Sequence, residues 1–211
     1  MTLDLAAELA ETRLLAIIRG TDTAATIAAG TALLAEGVRV VEVALTTPGA
    51  LDAIAAIRAD APADTLVGAG TVLTGSDVAD VAAAGAQFVV TPAVVESIAE
   101  AARRGLPVAA GALTPTEAYA AVRSGASVVK LFPASVGGPG YLKAVRDPFP
   151  DIPFVAVGGV GLAELPGYLA AGAIAVGVGG PLVGDAASGG DLDALRDRAR
   201  RYRDAVRGAL S

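Results

Sequence analysis

The chain has 211 residues, 54% of them apolar and 4% aromatic, with 26 glycines, no histidine, no cysteine and a formal net charge of −6. That length suits one sizeable core, or at most two small domains. The acidic balance argues against nucleic acid as a main partner, the missing cysteines exclude disulfides, and a chain with neither His nor Cys offers a metal only oxygen ligands, so zinc chemistry is disfavoured.

Residues 1–15 carry Asp4, Glu8 and Glu11 and no basic start, so they do not read as a signal peptide. A helix is expected there, over 1–13. Apolar runs are broken by Gly, Pro and charge, and none reaches the roughly 20 residues that span a bilayer. A cytoplasmic protein with no membrane partner is expected. Strands are then predicted at Leu15–Arg19, Val38–Leu45, Thr65–Gly68, Gln87–Val90, Pro107–Ala109, Ser127–Leu131, Pro153–Val157 and Ala173–Val176. Several are continuous apolar runs, the pattern of parallel strands covered on both faces.

Helical stretches fall between them, at Thr23–Glu36, Pro48–Ala59, Ser76–Ala84, Val94–Arg104, Pro115–Ser124, Gly140–Arg146 and Leu162–Ala171. Asp22 and Thr114 suit helix caps, and Pro48 and Pro115 suit first-turn positions. A glycine recurs where a helix hands over to a strand, in Glu36-Gly-Val, Ala84-Gly-Ala, Arg104-Gly-Leu, Ser124-Gly-Ala and Ala171-Gly-Ala. Such a glycine fits the left-handed residue that ends a helix. A charged closing helix is expected over 191–208. The pattern predicts an α/β chain folded as one compact (β/α)8 TIM barrel over 1–211, with a doubly wound sheet as the alternative.

In a barrel the chemistry belongs at the C-terminal strand ends, and the unusual residues collect there. Arg19 ends the first strand, as an anion anchor or a rim charge. Glu42 interrupts the apolar Val40-Val-Glu-Val-Ala44. It either pairs with a structural cation such as Arg39 or serves as a general acid/base. Lys130 lies inside Ala126-Ser-Val-Val-Lys-Leu-Phe-Pro133, one of only two lysines in the chain. Desolvation favours the neutral amine, and a neutral amine attacks carbonyls, so Lys130 points to Schiff-base chemistry. Lys143 sits in a polar helical stretch and reads as a surface residue. Gly158, Gly159, Gly179 and Gly180 follow the last two strands, where backbone amides can hold phosphate. No cluster of acids falls at that end, and no metal is expected.

The stretches Ala16-Ile-Ile-Arg-Gly20, Gly37-Val-Arg-Val-Val-Glu-Val43, Gly68-Ala-Gly-Thr-Val72, Thr91-Pro92, Lys130-Leu-Phe-Pro133 and Gly158-Gly-Val160 together resemble the class I 2-keto-3-deoxy-6-phosphogluconate (KDPG) and 4-hydroxy-2-oxoglutarate (KHG) aldolases. The resemblance runs from about Leu14 to Val183. It implies a metal-independent lyase that needs no cofactor, works as a homotrimer, and cleaves a phosphorylated 2-keto-3-deoxy sugar acid to pyruvate and D-glyceraldehyde 3-phosphate. It matches Lys130 to the Schiff-base lysine and Glu42 to the proton-shuttling glutamate. Arg19 and Thr71 fall at the substrate's carboxylate end, Pro92 and Phe132 shape the pyruvyl pocket, and the four glycines form the phosphate site.

Thr46 is expected to face the substrate in the loop after the glutamate strand, where many gluconate-type members have Arg. Val157 stands where Thr is frequent, and Pro181 where a serine is common. The Leu45-Thr-Thr-Pro48 segment, Val157 and the Phe132-Pro-Ala-Ser135 run followed by Gly138-Pro-Gly-Tyr141 resemble the 2-keto-3-deoxy-6-phosphogalactonate branch, which is the alternative activity. Remoter alternatives are a phosphosugar isomerase and a non-catalytic binding barrel.

Overall fold

The computed structural model describes residues 4–209, so the first three positions of the helix expected over 1–13 lie outside the described residues. Eight parallel strands close into a barrel: β1 (Leu14–Ile18), β2 (Val40–Ala44), β3 (Leu66–Gly70), β4 (Val89–Val90), β5 (Val108–Ala112), β6 (Val128–Leu131), β7 (Phe154–Val157) and β8 (Ala175–Val178). Each strand pairs with its neighbour in sequence, and β8 returns to β1 with Leu14 opposite Val176. That closure rules out the doubly wound alternative.

The helices are α1 (Leu5–Thr12), α2 (Thr23–Ala35), α3 (Ala50–Asp60), α4 (Gly75–Ala83), α5 (Ser97–Arg103), α6 (Pro115–Arg123), α7 (Gly138–Arg146), α8 (Leu165–Ala170), α9 (Gly180–Val183) and α10 (Leu192–Gly208). Asp22 caps α2 by accepting from the Ala25 N–H at 2.7 Å, and Thr114 opens α6 with a reciprocal capping box to Glu117. Pro48 is a correction. Gly49 is the N-cap of α3, so Pro48 stands before the helix rather than in its first turn.

The recurring glycines do what the sequence predicts. Gly37, Gly85, Gly105, Gly125 and Gly172 all have positive φ. After each, two backbone N–H groups reach back to the closing turn, as Gly37 to Leu34 O (2.9 Å) and Val38 to Leu33 O (3.0 Å) do. This is the Schellman arrangement, which satisfies the last carbonyls of the helix and turns the chain into the next strand.

Val90, Leu131 and Val157 end their strands as expected, and the other strand ends differ by one to three residues. Gln87 stands just before β4, although its N–H donates to Val67 O at 2.8 Å and its side-chain Oε1 accepts the Val67 N–H at 3.0 Å. Ala173 is held by the helix-ending turn, its N–H on Tyr168 O at 3.0 Å, which delays β8.

Alternate strand residues separate two cores. Val41, Val43, Val129 and Leu131 pack outward under the helices. Leu15, Val40, Leu66, Phe88, Val90, Val128 and Val155 fill the barrel, and Leu5 and Leu9 of α1 join them as a plug at the N-terminal end. Strand period two then puts Glu42, two after Val40, and Lys130, two after Val128, inside the barrel toward its C-terminal end.

Candidate active site

Glu42 and Lys130 are the two buried charged residues among those described, 2% and 8% exposed. Apart from Arg19 just beyond β1, the inward strand residues around them are apolar or glycine, so each charge must be compensated locally. Burial pushes the Glu42 carboxyl above the ordinary carboxylate range, and the charges of Lys130 and Arg19 pull it back without overcoming burial. Glu42 Oε2 is buried and has no hydrogen-bond partner. No direct ion pair joins Glu42 to Lys130, so the two groups couple through space with the carboxylate free to accept or give a proton. Arg39, the structural cation considered from sequence, is engaged elsewhere: it meets Glu8 at 2.8 Å and Glu11 at 2.6 Å at the other end of β2.

Lys130 Nζ lies 5.1 Å from the centre of the Phe132 ring. Phe132, 38% exposed, also lines a cavity of about 260 Å³ at the C-terminal strand ends. The same cavity takes in Arg19, Gly158, Gly159, Gly179 and Gly180. Phe132 thus links the amine to the glycine-lined space. Gly158 and Gly159 both adopt left-handed φ, 91° and 73°, so successive backbone groups after β7 turn in a way that only glycine takes without strain.

The other expected residues lie on neighbouring strand ends, outside that cavity's wall. Thr71, half-buried, follows β3 with φ 61°. Pro92, also half-buried, follows β4, and its carbonyl group crosses directly over Gly111 of β5, the residue opposite Lys130 in the sheet. Thr46 is exposed in the turn after β2. Its neighbour Thr47 is buried instead and accepts the Gly20 N–H at 3.3 Å, tying that turn to the end of β1. The sequence reading missed Thr47, and it missed Ile17 and Val160, which join Val157 as an apolar wall of the cavity. Inward parity from Leu15 would have found Ile17. Pro181, at the start of α9, lines the same space.

Chemically, the arrangement offers a buried amine, a buried carboxyl without a hydrogen-bond partner on Oε2, a guanidinium, and a glycine-rich rim suited to an anion. Among the described residues no group of three or more acids is placed to hold a metal, and no helix is long and apolar enough to cross a membrane.

Comparison with known proteins points the same way. Residues 5–197 match the family model for KDPG and KHG aldolase. The chain is 40% identical over 181 residues to the KHG/KDPG aldolase of Escherichia coli K12, covering 84% of this chain and 83% of that protein. It is 38% identical over 184 residues to a probable 2-dehydro-3-deoxy-6-phosphogalactonate aldolase of Rhizobium meliloti, covering 86% and 87%. Among solved structures, it resembles KDPG aldolase from Legionella pneumophila with pyruvate captured at low pH as a covalent carbinolamine intermediate. The TM-score is 0.83 at 29% identity, over 92% of this chain and 96% of that one.

Proposed function

The chain belongs to the KDPG and KHG aldolase family, and on that premise we propose that it cleaves 2-dehydro-3-deoxy-6-phosphogluconate to pyruvate and D-glyceraldehyde 3-phosphate through a Schiff base on Lys130. As a family member it is a class I aldolase, a carbon–carbon lyase that works without a metal. The observation that carries the residue assignment is the burial of Lys130 and Glu42, and of no other described charged side chain, on the inward face of one barrel.

In this reading the Lys130 amine attacks the C2 ketone and gives a carbinolamine. Glu42 delivers the proton with which water leaves, and a protonated imine remains. Glu42 then takes the proton of the C4 hydroxyl. The C3–C4 bond breaks, its electron pair flows into the imine, and D-glyceraldehyde 3-phosphate departs. The enamine is protonated at C3, and water releases pyruvate and the free amine. Arg19 and Thr71 hold the carboxylate end, Pro92 and Phe132 border the pyruvyl portion, and Thr46 stands at the rim toward the sugar chain. The backbone of Gly158, Gly159, Gly179 and Gly180 receives the phosphate. Fixing both ends holds C3–C4 beside Glu42, which supplies much of the rate as orientation.

The galactonate epimer is the second reading. Val157 and Ile17 make that side of the cavity apolar, so the C4 hydroxyl meets no side-chain partner there, and a missing partner weakens discrimination between epimers. We also propose that the working form is a cytoplasmic homotrimer without a cofactor, which light scattering on the purified chain checks for assembly.

The test is pyruvate release from the two C4-epimeric phosphorylated acids, together with borohydride reduction in the presence of pyruvate. Expected are faster turnover of the gluconate acid and a pyruvate adduct on Lys130. An adduct on another residue, or none, overturns the chemistry; faster turnover of the galactonate acid overturns the substrate.

A further inference from the structure

A cavity of about 210 Å³ opens at the opposite end of the barrel, between the α1–β1 turn, the α2–β2 turn and the C-terminal half of α10. Four arginines line it, Arg13, Arg39, Arg203 and Arg207, against one acid, Glu11. In a chain of net charge −6 this is a local reversal of sign.

The four are not equivalent. Arg39 is neutralised by Glu8 and Glu11. Arg203 donates through one Nη1 hydrogen to the Glu36 carbonyl, which leaves the rest of its fork uncommitted. Arg13 and Arg207 make no side-chain hydrogen bond or ion pair among the described residues, and Arg13 Nε is buried without a partner. A buried guanidinium donor with nothing to accept from it is costly, so its persistence calls for an acceptor. Arg13 also ends α1 with φ 60°, where glycine or asparagine fits with less strain than a long side chain.

We propose that this cavity binds a small phosphate-bearing anion through Arg13, Arg203 and Arg207, at a site separate from the substrate site. Guanidinium forks match phosphate oxygens bidentately, and a phosphate carries enough oxygens and charge for several forks at once. The volume is below the roughly 300 Å³ at which pockets for drug-sized ligands begin, which favours a small anion. The two sites are distinct in space. Leu14 at the start of β1 lines this cavity and Ile17 near its end lines the other. The three-residue run of strand between them separates the sites by roughly 10 Å at about 3.3 Å per residue.

The experiment is calorimetric titration of the full chain with inorganic phosphate, pyrophosphate and glycerol 3-phosphate. Together these separate a preference for the free anion from one for a phosphate monoester. Two independent classes of site are expected for at least one probe. In Arg13→Gln/Arg207→Gln one class weakens at least about tenfold, the loss of one charge-assisted contact. Its affinity in the wild type falls as salt is raised. The other class weakens in Gly159→Ala instead. Pyruvate release measured without added phosphate stays at the wild-type level in the arginine variant. Arg207→Gln alone, at an exposed position, gives the same direction of change should the double variant unfold. A single class dependent on Gly159, no binding of any probe, or unchanged binding in folded arginine variants overturns the proposal.

Discussion

Gly70 lies against the Glu42 carboxylate: a Cβ on Gly70 would stand 2.6 Å from Glu42 Oε1 and 3.0 Å from its Cδ. A side chain at that position would deny the carboxyl its present place, and burial leaves Glu42 little room to yield. Gly70→Ala is therefore expected to keep the barrel, at a cost of about 1–3 kcal/mol for overpacking. It should lower kcat by roughly a hundredfold through a displaced proton carrier. Steady-state kinetics beside thermal unfolding checks this. Wild-type kcat in the folded variant would show that the position of Glu42 is not critical.

The two lysines should separate completely. Lys130→Ala removes the attacking amine and is expected to cost on the order of a millionfold in cleavage, as loss of a covalent nucleophile does elsewhere. Lys143 is exposed on α7. Its replacement by Ala should leave turnover unchanged and stability within about 0.5 kcal/mol. Mass spectrometry after borohydride trapping should find pyruvate on the peptide containing Lys130 in Lys143→Ala and on no peptide in Lys130→Ala.

Glu42 makes a prediction about pH. Burial raises its folded-state pKa above the unfolded value, so the fold prefers the protonated form. Its contribution to stability is full below the unfolded carboxyl's titration near 4.3 and is lost as pH rises through the higher folded value. Glu42→Gln stays neutral throughout. The variant's Tm should exceed that of the wild type at neutral pH, and the gap should close at about pH 4 and below. Cleavage should fall roughly 10²–10⁴-fold with the lost proton transfer. Thermal unfolding across pH checks the first part, and a wild type that gains on the variant as pH rises would contradict the direction.

Much of this was legible in the sequence because it follows from backbone demands and strand parity. The helix-ending glycines announce themselves, since few residues other than glycine take that φ readily. Glu42 and Lys130 stand out because a charge two positions after an inward valine has nowhere to go but the barrel. What stayed hidden depends on which of two equivalent options the packing takes. Thr46 and Thr47 are chemically identical neighbours, and only the turn geometry sends Thr47 inward to the Gly20 N–H and Thr46 out to water. Gln87, just before β4, adds a side-chain oxygen to the backbone bond it makes with Val67. The arginine-lined cavity draws Arg13, Arg39 and Arg203 from distant segments, and no local pattern joins them.

The glycine rim gives a test that isolates phosphate from chemistry. Gly159 has φ 73°, and a Cβ there would stand 2.5 Å from Ser135 Cβ. An alanine pays about 1–2 kcal/mol for the left-handed backbone, and Ser135 must move as well. Both effects reshape the turn after β7 that is proposed to receive phosphate, while Lys130 and Glu42 on β6 and β2 keep their places. For the phosphorylated six-carbon acid, KM in Gly159→Ala should rise about tenfold or more, the worth of a lost charge-assisted hydrogen bond. The unphosphorylated 4-hydroxy-2-oxoglutarate ends in a C5 carboxylate, short of the C6 phosphate position, so whatever cleavage the wild type shows should persist with kcat/KM changed far less. Parallel kinetics on the two substrates reads the difference directly. An equal fall for both would mean that the turn supports the catalytic pair rather than the phosphate, and the assignment of the rim would fail.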